Sequence, residues 1–180
     1  MDLVKNNKFE LTFDPVSFTP ANYTSDGWRE IIVKIEDKIR DNSDSNLIIA
    51  KDPEEADKVG LGLLKHAFVD GAYVRQIIMP KGSLIVSQIH KYKHPYFIMK
   101  GECTVFTDEG KVRIKAPFWD ITKPGTKRLL YMHEEVIWVT VHVTDKKDLK
   151  DIQKEIISET FSEMDKFEKE KMLKLMKEKI

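Results

Sequence analysis

Gln88, His90 and His94 lie within one short stretch and have the residue types to hold a metal ion or a polar ligand. Side chains two apart in an extended strand point to the same side, so Gln88 and His90 share a face. Lys91-Tyr92-Lys93 reads as a turn that folds the chain back and brings His94, on the next strand, alongside His90. Two converging imidazoles begin a divalent metal site. A third ligand is needed, and Gln88, Glu102 and His142 are the candidates. The competing reading makes the histidines polar pocket residues held by hydrogen bonds. Trp138, Thr140 and His142 alternate along one strand. If their shared face looks inward, Trp138 lines the pocket and His142 is a ligand or base; if not, His142 is a surface residue.

Other residues carry less. Asp120 and Glu102 are carboxylates of the kind used as acid and base. His133-Glu134-Glu135 reads as a solvated loop, and Phe118-Trp119 as core. There is no phosphate loop, nucleophile elbow or Cys–His zinc pattern. Cys103 is the single cysteine, so no internal disulfide forms; its apolar surroundings predict a buried, inert thiol and point to the cytoplasm.

The elements that position these residues follow from periodicity. Strands are predicted at Tyr73–Met79, Leu84–His90, Tyr96–Lys100, Glu102–Thr107, Val112–Lys115, Phe118–Thr122, Lys127–Tyr131 and Val136–Val143. They are short and separated by Gly and Pro turns, the pattern of a small sandwich or barrel. Residues 1–70 form an N-terminal arm and helical extension, 71–144 the barrel, and 145–180 a long C-terminal helix. In the extension, Phe9, Leu11 and Phe13 suggest a short strand or arm. Trp28, Ile31, Ile32, Ile35 and Ile39 form the stripe of an amphipathic helix capped by Ser25 or Asp26. A strand over Leu47–Ala50 follows, then a second helix start at Asp52-Pro53, cut short by Gly60 and Gly62. The last region has no Gly or Pro, and Asp145 is its expected cap. Leu149, Ile152 and Ile156 predict docking on the barrel, with a Lys/Glu-rich end free for a partner or for self-association.

Thirty basic and thirty acidic residues cancel, which removes any broad attraction to nucleic acid or anionic membrane. No apolar run reaches the ~20 residues of a membrane span, and Met1–Thr19 lacks the apolar core of a signal peptide.

The order Lys81-Gly82, Ile89-His90, His94, Gly101-Glu102 and Pro124-Gly125-Thr126-Lys127-Arg128 resembles the two motifs of the cupin (double-stranded β-helix) superfamily. Counting back from Gly101, the motif's histidine pair falls on Gln88 and His90, and its glutamate on His94. In the second motif the histidine position is taken by Arg128 and the proline position by Lys123. Only His90 keeps the usual ligand identity. Arg128 is no metal ligand; a guanidinium repels a metal but attracts a carboxylate or phosphate. Residues 71–152, including Trp138-Val139-Thr140-Val141-His142, are also similar to cupin-domain proteins of tailed bacteriophages and prophages, a group mostly without assigned activity.

The resemblance implies a mainly β cupin jelly-roll barrel. Three functions remain open. The first is a barrel binding a small polar or anionic ligand, lined by Gln88, His90, His94, Arg128, Trp138 and His142, with or without a divalent metal. The second is a metal-dependent enzyme, with Fe, Mn, Ni or Zn on His90, His94 and either Glu102 or His142. The third is a structural module that contacts a virion or host protein. All three are compatible with a homodimer or higher homo-oligomer in the cytoplasm, that of the host if the protein is phage-encoded, or in a virion.

Overall fold

The computed structural model describes residues 25–41, 47–49 and 64–178. The arm around Phe9–Phe13 and the helix start at Asp52 lie outside the described residues. The chain runs through α1 (Ser25–Asp41), β1 (Leu47–Ile49), β2 (Lys65–Val69), β3 (Ala72–Met79), β4 (Leu84–Val86), β5 (Ile89–His90) and β6 (His94–Lys100). It continues through β7 (Glu102–Thr107), β8 (Gly110–Lys115), β9 (Phe118–Thr122), β10 (Leu129–Met132) and β11 (Val136–Val143). The final elements are α2 (Leu149–Ile156), β12 (Ile157–Ser158) and α3 (Phe161–Lys177).

Among the described residues, two five-stranded sheets face each other as a jelly roll, in the orders β1-β4-β10-β7-β8 and β2-β3-β11-β6-β9. Their inner faces meet in one core of Ile77, Met79, Ile85, Tyr96, Ile98, Cys103, Val105, Leu130, Met132 and Trp138. Alternation assigns the other face of each strand. On the first sheet that face is also apolar, and Leu84, Val86, Phe106 and Leu129 pack against Trp28, Ile32, Ile35 and Ile39 of α1. The stripe read from the sequence is therefore the cover of this sheet. Trp28 also donates its indole N–H to the Lys127 carbonyl (3.2 Å), and the buried Lys127 ammonium meets Glu36 at 2.6 Å. Together with β1, which pairs in parallel with β4, these contacts build the N-terminal extension into the barrel wall. The wall also includes β2, which pairs with β3 and precedes the expected start of the barrel at residue 71.

The C-terminal helical region is divided. Asp148, not Asp145, caps α2 by accepting from the N–H groups of Lys150 and Asp151. At Ile157 the backbone turns extended, and Ile157 and Ser158 pair with His90 and Ile89 of β5. Thr160 then starts α3, accepting from the Glu163 N–H, while the Glu163 carboxylate accepts from the Glu159 N–H. This is close to a capping box. The break lets the C-terminal segment brace the short strand that carries His90.

Gly101 closes the β6–β7 turn at φ +85°. A Cβ there would overlap the backbone carbonyl of Glu135. Gly101→Ala is expected to cost at least about 2 kcal/mol, combining positive-φ strain with a clash against backbone. Urea denaturation measures this, and a loss below about 0.5 kcal/mol would show that the corner yields freely.

Candidate metal centre

The site is built from inward-facing residues of the second sheet, stacked in layers. Strand register pairs Trp138 with Ile77 and Ile98 in an apolar layer. One inward step along, Thr140 lies between Arg75 and Tyr96. The next step pairs His142 with Tyr73 on one side, while His94 pairs with Thr122 further across the sheet. His90 enters from β5. The rings of His94 and His142 have centroids 4.3 Å apart, His90 and His94 also 4.3 Å, and His90 and His142 5.2 Å. One nitrogen from each of the three lies within 4.8 Å of the others. Nitrogens sharing one zinc sit about 2.0–2.1 Å from it, so the three are near enough to share one ion once the cluster tightens around it.

The donor chemistry fits a transition metal. His94 donates its Nδ1–H to the Tyr92 carbonyl (3.2 Å), which leaves Nε2 as the lone-pair atom and fixes the ring, as outer partners of metal-bound histidines do. His142 Nε2 is 3.2 Å from the Thr140 hydroxyl. The Nδ1 of His90 is buried without a hydrogen-bond partner, which is costly unless something binds it. Burial, then repulsion from His94, His142, Arg128 and Arg75, pushes His90 well below the usual histidine range. Burial, partly offset by the Tyr92 hydrogen bond and reinforced by Arg128, lowers His94 to about 4. Burial, then His94 and Arg75, lowers His142 to about 3. All three are neutral at pH 7, the form that binds metal.

Beside the histidines is a cavity of about 80 Å³, lined by Arg75, Gln88, His90, His94, Thr122, Arg128, Trp138 and Thr140 among others. Arg128 is buried, donates to the Thr122 hydroxyl (3.1 Å) and lies 5.3 Å over the Tyr96 ring. Burial lowers its pKa, opposed by Tyr96 and Asp120, yet an arginine keeps its charge in proteins.

The structure thus brings together Gln88, His90, His94, Arg128, Trp138 and His142. It does not bring Glu102 to them. As the first residue of β7, Glu102 is paired with Arg113, outside both the histidine cluster and the cavity lining. The third imidazole is that of His142, on the buried face of β11. Asp120 is exposed, and its carboxylate accepts from the Ile121 N–H. Cys103 is buried and its thiol is pushed up to about 12 by desolvation, so it is inert. Sequence reasoning missed Arg75. Its signal was a lone charge in the file Tyr73, Arg75, Ile77, Met79. The neighbouring file Val74, Gln76, Ile78 is similarly apolar, so periodicity alone did not say which file faces inward.

No family model matches the chain, and no curated protein matches it. Solved structures do align. A cupin-2 domain protein from Shewanella frigidimarina is 10% identical over 50% of this chain and 92% of that one, with a TM-score of 0.40. Ectoine synthase from P. lautus is 12% identical over 51% of this chain and 70% of that one, with a TM-score of 0.42. An acetylacetone dioxygenase from Acinetobacter johnsonii is 20% identical over 44% of this chain and 58% of that one, with a TM-score of 0.39.

Proposed function

We propose that the barrel binds one divalent transition metal through His90, His94 and His142, together with a small anionic ligand held beside it by Arg128. The observation that carries this reading is the convergence of three neutral imidazoles, two of which, His90 and His94, line a cavity that also holds the buried Arg128. Among the described residues no carboxylate lies within ion-pair distance of Arg128. A metal bound there would act as a Lewis acid and lower the pKa of coordinated water. Gln88 and Trp138 would shape the ligand's seat. No carboxylate is among the residues lining the cavity, so a catalytic version would rely on the metal rather than a protein base to activate the reactant.

A phage or prophage context is supported by the resemblance across residues 71–152, and a phage-encoded protein would work in the host cytoplasm or the virion. A homodimer belongs to the same reading. It is supported by apolar side chains exposed on strands of the second sheet, Met99, Trp119, Ile121 and Val143.

The test is elemental analysis of tag-free protein, wild type beside a His90→Ala/His94→Ala variant. Near-stoichiometric Fe, Mn, Ni or Zn that disappears in the variant supports the reading. Metal below about a tenth of an equivalent, even after incubation with these salts, would overturn its metal half.

A further inference from the structure

We propose that the cavity is a site for a small dicarboxylate of three or four carbons, clamped between Arg75 and Arg128. The proposal deepens the anionic-ligand reading and rests on it. Arg75 comes from β3, level with Thr140 and one inward step from His142. Arg128 comes from the segment before β10, on the side of His94 and Thr122. Both guanidiniums line the one cavity. Neither has a carboxylate within ion-pair distance among the described residues. The Nε of Arg75 is buried with no hydrogen-bond partner.

Arg128 is buried and Arg75 has a buried, unpartnered Nε, so two positive charges share a cavity whose lining holds no carboxylate, an arrangement that is costly until a negative group enters it. The three histidines supply none, being neutral, and a bound divalent metal would add to the positive side. A monoanion satisfies only half of this arrangement; a ligand with two separated negative groups satisfies all of it. Guanidinium forks match planar carboxylates through paired N–H···O bonds, and their entry from different strands suits two carboxylates rather than one compact tetrahedral anion. Size sets the other limit. At roughly 10–15 Å³ for each water-sized position, a cavity of about 80 Å³ has room for about five to eight heavy atoms. Malonate and succinate fit that range.

Titration calorimetry tests the clamp on the full chain, both metal-free after chelation and loaded with Mn. The probes are malonate, succinate, acetate and inorganic phosphate. Malonate or succinate is expected to bind at least tenfold more tightly than acetate and than phosphate. Arg75→Gln is expected to remove that preference, weakening the dicarboxylate at least tenfold and acetate by no more than about twofold. Near-UV circular dichroism confirms that the variant is folded, and Arg75→Met, which keeps the apolar stem, replaces it if it is not. Equal affinity for malonate and acetate, or no effect of Arg75 substitution on their ratio, would overturn the dicarboxylate clamp and leave a monoanion site standing. Phosphate binding as tightly as malonate would overturn the dicarboxylate assignment. No binding of any anion would sink the anionic-ligand reading itself. Dicarboxylate binding by protein that takes up no metal would support the clamp and reject only the metal.

Discussion

Replacing His142 with alanine is expected to lower affinity for a divalent metal at least 100-fold while the barrel stays folded at pH 7. Even the outer hydrogen-bond partners of metal ligands are typically worth 10–100-fold, and His142 would be one of three direct ligands. Its loss leaves His90 and His94, whose rings are 4.3 Å apart, with no described carboxylate near enough to substitute. Fold is spared because the apolar layers around Trp138, Ile98 and Leu130 lie deeper in the barrel. Competition against a chelator of known affinity measures the change, with near-UV circular dichroism reporting the fold. Glu102→Ala is the paired control. Glu102 is engaged with Arg113, so that variant should hold metal within about twofold of wild type. Metal affinity that survives in His142→Ala and falls in Glu102→Ala would reverse the ligand assignment made here.

The second large effect is on stability in acid. An unfolded histidine titrates near 6.5, whereas the folded protein holds His94 at about 4 and His142 at about 3. Above pH 6.5 neither state takes protons at these sites, so they add no pH dependence. As pH falls below 6.5 the unfolded chain binds protons that the folded cluster refuses, and stability drops until the folded values are reached. Each unit of depression corresponds to about 1.4 kcal/mol, and a first proton in the cluster raises the cost of a second by repulsion. A loss on the order of 8 kcal/mol between pH 6.5 and pH 3 follows. Urea midpoints between pH 7.5 and pH 4.5 would record the upper part of this slope. The double variant His94→Asn/His142→Asn should flatten it, leaving the part due to carboxylates and to His90, which burial also holds below the usual range. Identical slopes in the two proteins would mean that the histidines protonate in the folded state as easily as in water.

Several features of the molecule were legible in the chain itself. The strand series from Tyr73 to Val143 could be read because a jelly roll alternates inward and outward side chains and turns on Gly and Pro. The α1 stripe could be read because Trp28, Ile32, Ile35 and Ile39 recur at helical spacing. The meeting of His90 and His94 could be read because a three-residue turn is local. The capping pair Thr160 and Glu163 was also present in the sequence, but the Gly-free, Pro-free run around it favoured one continuous helix. Only pairing of Ile157 and Ser158 with β5 makes the break worthwhile.

The residues fixed by tertiary structure alone are those whose partners lie far along the chain. Choosing His142 over Glu102 as third ligand required knowing which face of β11 is buried, and strand alternation alone leaves that two-fold ambiguous. Arg75 stayed hidden for the same reason, since both files of β3 are largely apolar. By itself the sequence determined a sandwich or barrel of short strands with a histidine pair, because those are set by local periodicity and spacing; Arg128 was singled out by the resemblance to the second cupin motif. The third imidazole, the second guanidinium and the C-terminal brace on β5 depend on sheet register across the barrel, and only the folded chain decides that.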